Sequence, residues 1–262
     1  MSQSIFQIDA FTDKPFSGNP AGVCILDKPA DERWMQNVAM EMAVAETSFL
    51  HPVEGGWSLR WFTPTVEVDL CGHGTIAATH ALLETGRLRE NETARYHTKS
   101  GWLGAWLDGD WIDLDFPATP ATPADAPPGL IESLGAKPVT VAKTKFDYLV
   151  EFDSEKTVRE LRPDLARLAK IETRGIIVTA RSDDPTFDFV SRFFGPRVGI
   201  DEDPATGWSH CALGPYWSAK LGKNRMMAYQ ASSRGGIIRV TVKGERVLLG
   251  GKAVTVLRGE LL

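Results

Sequence analysis

An internal repeat constrains the fold of this 262-residue chain more than any other feature of its sequence. The segment WFTPTVEVDLCGHGTIAATHAL (61–82) shares its order of features with FFGPRVGIDEDPATGWSHCAL (193–213). The aligned pairs include Phe62 with Phe194, Pro64 with Pro196, Cys71 with Asp203, and Ala81 with Leu213. Each segment has an aromatic strand, a proline, an acidic turn, a helix start rich in Gly or Thr, and a helix of small residues. The repeat predicts two similar lobes, each with a helix N-terminus at the same topological place.

The patterns around the repeat indicate an α+β chain with antiparallel sheets. SIFQIDAF and WSLRWF alternate apolar and polar residues, as half-buried strands do. Asp31 can cap a helix over 31–45, and Asp108-Gly109 marks a hairpin between two alternating segments. We predict a first lobe over 1–118, completed by a strand at about 251–262. The Pro-rich stretch 119–129 is predicted as a linker, and 130–250 as the second lobe.

Composition excludes several classes of protein. The net charge of −5 gives no basic surplus for binding a nucleic-acid backbone. No apolar run is long enough to span a membrane, and the first residues lack the pattern of a signal peptide. Three scattered cysteines are too few for a disulfide framework. We therefore expect a cytoplasmic protein that binds neither nucleic acid nor membrane.

The motif DLCGHGT (69–75) has the outline of a dinucleotide-binding turn, but its flanks do not fit. Such a turn follows a fully buried parallel strand, whereas Glu67 and Asp69 alternate outward here. A metal site is also disfavoured by the sequence. Cys71 and His73 supply two ligands at most, and zinc needs a third ligand from elsewhere in the chain.

An anion site at the two helix N-termini is a simpler interpretation. CGHGT and DPATG place small residues in a first helical turn, where exposed N–H groups and the helix dipole attract a negative ligand. The amides of Gly72, His73, Gly74 and Gly207 are the candidates, and a small carboxylate is the expected ligand. The alternative is ordinary capping, with Thr75 or Asp203 satisfying its own helix.

Three titratable residues are candidates for proton transfer. Glu46 lies in the mostly apolar stretch AVAETSFL, where burial would raise its pKa and make it a general base or acid near neutral pH. A surface Glu at a strand start is the alternative. His73 could shuttle a proton or polarise a carbonyl, and Asp203 could orient a substrate amine or hold His73.

The stretches FSGNPAGV, AVAETSF, FTPTVEVDLCGHGT and DEDPATG together resemble the PhzF-like (phenazine biosynthesis) isomerases over essentially the whole chain. The resemblance implies a diaminopimelate-epimerase-like fold, in which each lobe is a barrel-like sheet around a central helix. It also implies a homodimer and an isomerase that needs neither metal nor organic cofactor. The catalytic residues implied are Glu46, His73 and Asp203. The substrate-binding candidates are Asn19, Cys71, Gly72, Gly74, Thr75, Gly207 and Trp208.

One departure from the family pattern concerns the substrate. Trp208 stands at the position where the resemblance implies a Ser in the phenazine enzyme. We therefore expect a different substrate, a small carboxylated metabolite that is unsaturated or cyclic. Related epimerases use one thiol in each lobe. Cys71 matches the first position, but Asp203 occupies the second, so a two-thiol racemase is disfavoured. A thiol-assisted epimerase using Cys71, or a metabolite-binding protein without catalysis, remain the alternatives.

Overall fold

Strands contain more residues than helices in the computed structural model, which describes residues 3–262. The first elements are β1 (Gln3–Ala10), β2 (Asn19–Ile25), α1 (Glu32–Met42), β3 (Glu46–Val53), β4 (Gly56–Phe62), β5 (Glu67–Val68), α2 (Gly72–Glu84), β6 (Ala94–Thr98), β7 (Gly101–Asp108) and β8 (Trp111–Pro117). They are followed by β9 (Thr122–Pro123), α3 (Leu130–Leu134), β10 (Thr140–Lys143), β11 (Asp147–Glu151), α4 (Glu155–Glu160), α5 (Leu165–Leu168), β12 (Gly175–Arg181) and β13 (Phe189–Gly195). The last are β14 (Ile200–Asp203), α6 (Gly207–Leu221), β15 (Arg225–Gln230), β16 (Gly236–Lys243), β17 (Arg246–Gly251) and β18 (Ala253–Leu261).

The chain divides into two compact units. Unit 1 comprises Met1–Asp115 and Gly250–Leu262, and unit 2 comprises Phe116–Leu249. In unit 1, β1 pairs antiparallel with both β2 and β18, so the last strand lies beside the first. The helix α2 is mostly buried and packs on β1, β2, β3, β7 and β18. Its small residues, such as Ala77 and Ala78, allow these strands to approach closely.

Strand pairing shows the predicted repeat directly. In unit 1, β2 pairs antiparallel with β1 and parallel with β3, while β4 pairs antiparallel with β3 and β5. β6 then runs parallel to β4 and antiparallel to β7. In unit 2, β10 to β16 repeat each of these pairings in the same order. The α+β class with mainly antiparallel sheets is therefore confirmed.

Local sequence signals account for several element ends. Asp31 is the N-cap of α1 and accepts a hydrogen bond from the Trp34 N–H. The helix ends at Met42, three residues before the predicted end, because Ala43 adopts a left-handed φ of 51°. The Asp108-Gly109 hairpin forms between β7 and β8, with Gly109 at a φ of 66°.

The stretch 119–129, predicted as a linker, belongs to unit 2. Its strand β9 pairs antiparallel with β10, and the Ala124 N–H donates to the Val141 carbonyl. Proline lacks the N–H that a central strand needs, which suits this two-residue strand to the edge of a sheet. Among the helices of residues 3–262, none is long and apolar enough to cross a membrane.

Candidate functional site

Three element ends converge in unit 1. Glu46 is the first residue of β3, and the parallel pairing of β3 with β2 places it opposite Ala21. Asn19 opens β2 and is completely buried. Cys71 is the N-cap of α2, and His73 lies in the first turn of that helix. Because α2 packs on β2 and β3, side chains far apart in the sequence meet at this point.

His73 is at the centre of the group. Its Nε2 atom lies 3.0 Å from Glu46 Oε2, and its Nδ1 atom lies 3.2 Å from Asn19 Nδ2. The Cys71 Sγ atom is 3.5 Å from Nδ1 and 3.9 Å from Nε2. The His73 and Glu46 side chains are only 7 % and 13 % exposed. An imidazole in contact with both a carboxylate and a thiol in such a poorly hydrated place can hold and move a proton.

The pKa of His73 reflects opposing effects. Burial lowers it, but attraction and hydrogen bonding from Cys71 and Glu46 outweigh burial, and the pKa rises well above its ordinary value. Burial, reinforced by the Glu46 charge, raises the pKa of Cys71 against the influence of His73 and the Gly74 N–H. Cys71 and Glu46 thus both support a positive charge on His73.

The first turn of α2 differs from the predicted anion site. The Gly74 N–H donates to Cys71 Sγ over 3.3 Å, and the Thr75 hydroxyl donates to the Cys71 carbonyl. These groups make hydrogen bonds within the helix start itself, and the substrate contacts of Gly74 and Thr75 stay predictions. A Cβ on Gly74 would lie 2.8 Å from Trp61 Cδ1 and 2.9 Å from Ser48 Oγ, so close packing requires glycine here. The Gly72 and His73 amides remain candidates for binding an anion.

The motif's surroundings exclude the dinucleotide interpretation. β5, which precedes α2, has two residues and pairs antiparallel with β4, so no buried parallel strand leads into the helix. A metal site, by contrast, needs a third ligand close to Cys71 and His73. Ligand atoms of Glu46, Cys71 and His73 all lie within 4.8 Å of one another, so the third potential ligand is present. The sequence held no signal for this grouping, because the packing of α2 on β3 creates it.

The loop before β2 constrains Asn19. Phe16 has a left-handed φ of 67° although its side chain is 80 % exposed. Its backbone N–H donates over 2.7 Å to Oδ2 of Asp9, which is buried. At Gly18, φ is 63° and a Cβ would lie 2.1 Å from the Ala10 carbonyl oxygen. The loop is therefore fixed by a hydrogen bond to Asp9 and packs closely against Ala10 just before Asn19.

In unit 2, Asp203 ends β14 shortly before α6. Its carboxylate accepts a hydrogen bond from the Thr206 hydroxyl over 2.5 Å, and its carbonyl accepts one from Gln230 Nε2. Thr206, not Asp203, is the N-cap of α6, so the capping alternative for Asp203 is wrong. Gly207 is the first residue of α6 and is buried.

Trp208 belongs to a cluster within unit 2. Its ring meets Phe146 edge-to-face with centroids 5.5 Å apart, and the Arg174 guanidinium lies over the Trp208 ring at 5.3 Å. Arg174 is held by both carboxylate oxygens of the buried Asp147. Part of the indole is thus used in packing and cation–π contact.

Comparisons with known proteins agree with this architecture. The profile of the PhzC-PhzF family, described as phenazine biosynthesis-like protein, matches residues 8–259. An uncharacterized isomerase from Halalkalibacterium halodurans is 51 % identical over 100 % of this chain and 99 % of its own length. A PhzF family crystal structure from Enterococcus faecalis has a TM-score of 0.95 and 37 % identity, and covers 100 % of both chains.

A more distant comparison concerns the fold alone. A hydroxyproline epimerase from Agrobacterium vitis, 12 % identical, superposes with a TM-score of 0.63 over 99 % of this chain and 92 % of that one. Together with the repeated pairing in the two units, this likeness confirms the predicted epimerase-like fold.

Proposed function

The chain belongs to the phenazine biosynthesis-like (PhzC-PhzF) family, and from this premise we propose that it is an isomerase that moves a proton on a small carboxylated metabolite. Relatives named as isomerases support isomerisation in general. The finer proposal is a reaction that uses neither metal nor organic cofactor, on an unsaturated or cyclic substrate. The observation that carries it is the 3.0 Å contact between Glu46 Oε2 and His73 Nε2 in a mostly buried site.

The chemistry follows from the charges of this pair. The Glu46 carboxylate removes a proton from a substrate carbon, and the electron pair left behind moves into the adjacent unsaturated or carboxylate group. His73, held positive, and the Gly72 and His73 amides stabilise the resulting anion. Return of the proton to a different carbon shifts the double bond. Atoms and electrons balance, because the only change is the position of one hydrogen.

Several expectations rest on the family resemblance and stay predictions. Asp203, Gly207 and Trp208 are expected to contribute to substrate binding, with Asp203 also assisting catalysis. The protein is expected to be a cytoplasmic homodimer without nucleic-acid or membrane partners. A measurement of molar mass in solution tests the dimer.

Solvent-exchange labelling tests the proposal while the substrate is unidentified. The protein is incubated with a metabolite extract in D₂O, and compounds that gain deuterium are found by mass spectrometry. We expect at least one carboxylated metabolite to be labelled by the wild type and not by Glu46→Gln. Glu54→Gln, a change at an exposed residue just after the same strand, is the matched control and should label normally.

Either of two results would contradict the proposal. Unchanged labelling by Glu46→Gln would remove Glu46 as the base. No labelled compound from the wild type in any extract would favour the non-catalytic binding protein.

A thiol-assisted epimerase is the second candidate, because Cys71 Sγ lies 3.5 Å from His73 Nδ1. Cys71→Ser separates the two candidates, since serine is a good N-cap and preserves the start of α2. Loss of labelling in Cys71→Ser with retention in Glu46→Gln would favour the thiol.

A further inference from the structure

We propose that Glu46, Cys71 and His73 form a binding site for a thiophilic divalent cation, with Zn²⁺ as the best match, and that the bound cation inhibits the isomerase. The inhibition rests on the proposed function, whereas the binding does not. All three residues belong to unit 1.

The ligand set suits zinc in chemistry and in spacing. Thiolate, imidazole and carboxylate are the three side-chain types that bind Zn²⁺, and three protein ligands with an open fourth position are typical of sites that admit water or a small molecule. Tetrahedral bonds of about 2.0–2.3 Å place neighbouring ligand atoms roughly 3.3–3.7 Å apart. Here His73 Nε2 is 3.0 Å from Glu46 Oε2 and 3.9 Å from Cys71 Sγ. All three ligand atoms lie within 4.8 Å of one another, so small side-chain movements complete the geometry.

The surroundings orient these ligands. The Gly74 N–H donates to Cys71 Sγ and stabilises the sulfur as a thiolate once the metal binds. The Asn19 side-chain amide lies beside His73 Nδ1 and leaves Nε2 to face Glu46. A metal-bound histidine donates its other ring N–H to an acceptor. Asn19 Oδ1 can accept that bond once the amide turns over, since the Nδ2 atom now beside Nδ1 is a donor. Two anionic ligands balance the charge of the cation, which matters because the site is largely shielded from water.

Zinc and proton transfer exclude each other here. Coordination releases the Cys71 thiol proton and the His73 Nε2 proton to the solvent buffer, and the cation then occupies the lone pairs through which Glu46 and His73 would handle a proton. Glu46 can then no longer act as a base. The cation therefore competes with catalysis.

Metal titration of purified, chelator-treated protein without substrate tests the site. We expect one Zn²⁺ per chain by calorimetry, and Co²⁺ as a probe should give the absorption of a tetrahedral thiolate complex. Cys71→Ser and His73→Asn should each weaken binding by more than the roughly 10- to 100-fold that loss of an outer partner costs. Cys24→Ala and Cys211→Ala are matched controls, because both thiols are buried outside the cluster, and they should bind as the wild type does.

The outcomes separate the two proposals. Zinc binding that survives in Cys71→Ser, or an absence of stoichiometric binding in the folded wild type, overturns the site. Binding that depends on Cys71, without any effect of Zn²⁺ on deuterium labelling, overturns the inhibition. Circular dichroism of each variant shows whether a loss of binding reflects unfolding. Since binding is measured without substrate, labelling retained by Glu46→Gln would contradict the proposed function and leave the metal site standing.

Discussion

Nε2 of His73 and Oε2 of Glu46 are 3.0 Å apart, and this contact joins the first turn of α2 to the first residue of β3. The two residues are distant in sequence, and each lies at the end of an element where a side chain can be held firmly. The contact is therefore both a support for the packing of unit 1 and the chemical centre of the candidate site.

The charge on His73 should depend on Glu46. In metal-free protein, an NMR titration should find His73 still protonated well above its ordinary pKa. Glu46→Gln should lower the pKa of His73, since burial remains and the attraction is lost. Cys71→Ser should also lower it, because Cys71 contributes attraction and a hydrogen bond. An unchanged pKa of His73 in both variants would contradict this assignment.

The same shift makes a prediction about stability. The folded-state pKa of His73 is raised, so its stabilising contribution is fully present below the unfolded pKa of about 6.5. That contribution is lost as the pH rises through the folded-state pKa. Urea unfolding measures the free energy of unfolding of the wild type and of His73→Asn between neutral and alkaline pH. The wild type should be the more stable at neutral pH, and the difference should shrink as the pH rises. A constant difference would show that His73 is not charged in the folded protein.

Gly74→Ala should destabilise the protein by roughly 1–3 kcal/mol through overpacking. Its Cβ would lie 2.8 Å from Trp61 Cδ1 and 2.9 Å from Cys71 Sγ. In an open helix position the same change would stabilise, so the sign of the effect tests the packing. Gly104→Ala is the control, since the nearest atom to its Cβ is 3.9 Å away. The free energy of unfolding of the two variants gives the comparison. An increase for Gly74→Ala would contradict the close packing around Gly74.

His210 predicts acid sensitivity in unit 2. Burial lowers its pKa to about 4 against the opposing hydrogen bond to the Thr206 carbonyl. In the unfolded chain, His210 takes up a proton near pH 6.5, whereas in the folded chain it does so only near pH 4. The free energy of unfolding therefore falls as the pH falls between these values. The loss should reach roughly 3 kcal/mol. His210→Gln should flatten this dependence in urea unfolding, whereas the exposed His97→Gln should leave it unchanged.

Phe16→Gly should stabilise the protein by about 0.5–1 kcal/mol. Phe16 has a φ of 67°, which costs a side-chain-bearing residue more than glycine loses through its greater flexibility. Its side chain is 80 % exposed, so little buried surface is lost. Phe16→Ala keeps the strain and should not stabilise. A destabilised Phe16→Gly in urea unfolding would mean that the ring makes contacts that compensate for its backbone.

The sequence was informative wherever a local rule determines structure. The Asp31 cap, the Asp108-Gly109 hairpin and the repeat follow from short-range chemistry, and all three are found. The position of Cys71 and His73 at a helix start follows in the same way.

Contacts between residues of different elements could not be predicted by such local rules. That Glu46 meets Cys71 and His73 depends on how α2 packs on β3, and no spacing in the sequence encodes it. The requirement for glycine at position 74 also arises from tertiary packing, because the atoms that exclude a Cβ come from β3 and β4 as well as from Cys71. The pairing of β9 with β10 could not be predicted from composition, because a Pro-rich strand at a sheet edge has the same composition as a linker.

The pairing of β1 with β18 also determines the order in which the protein can be completed during synthesis. Ala253–Leu261 is synthesised after the other strands, so β1 keeps an open edge while the rest of the chain is made. The unit that begins first is thus closed last. A nascent chain stalled before β18 would carry Glu46, Cys71 and His73 on an unfinished sheet.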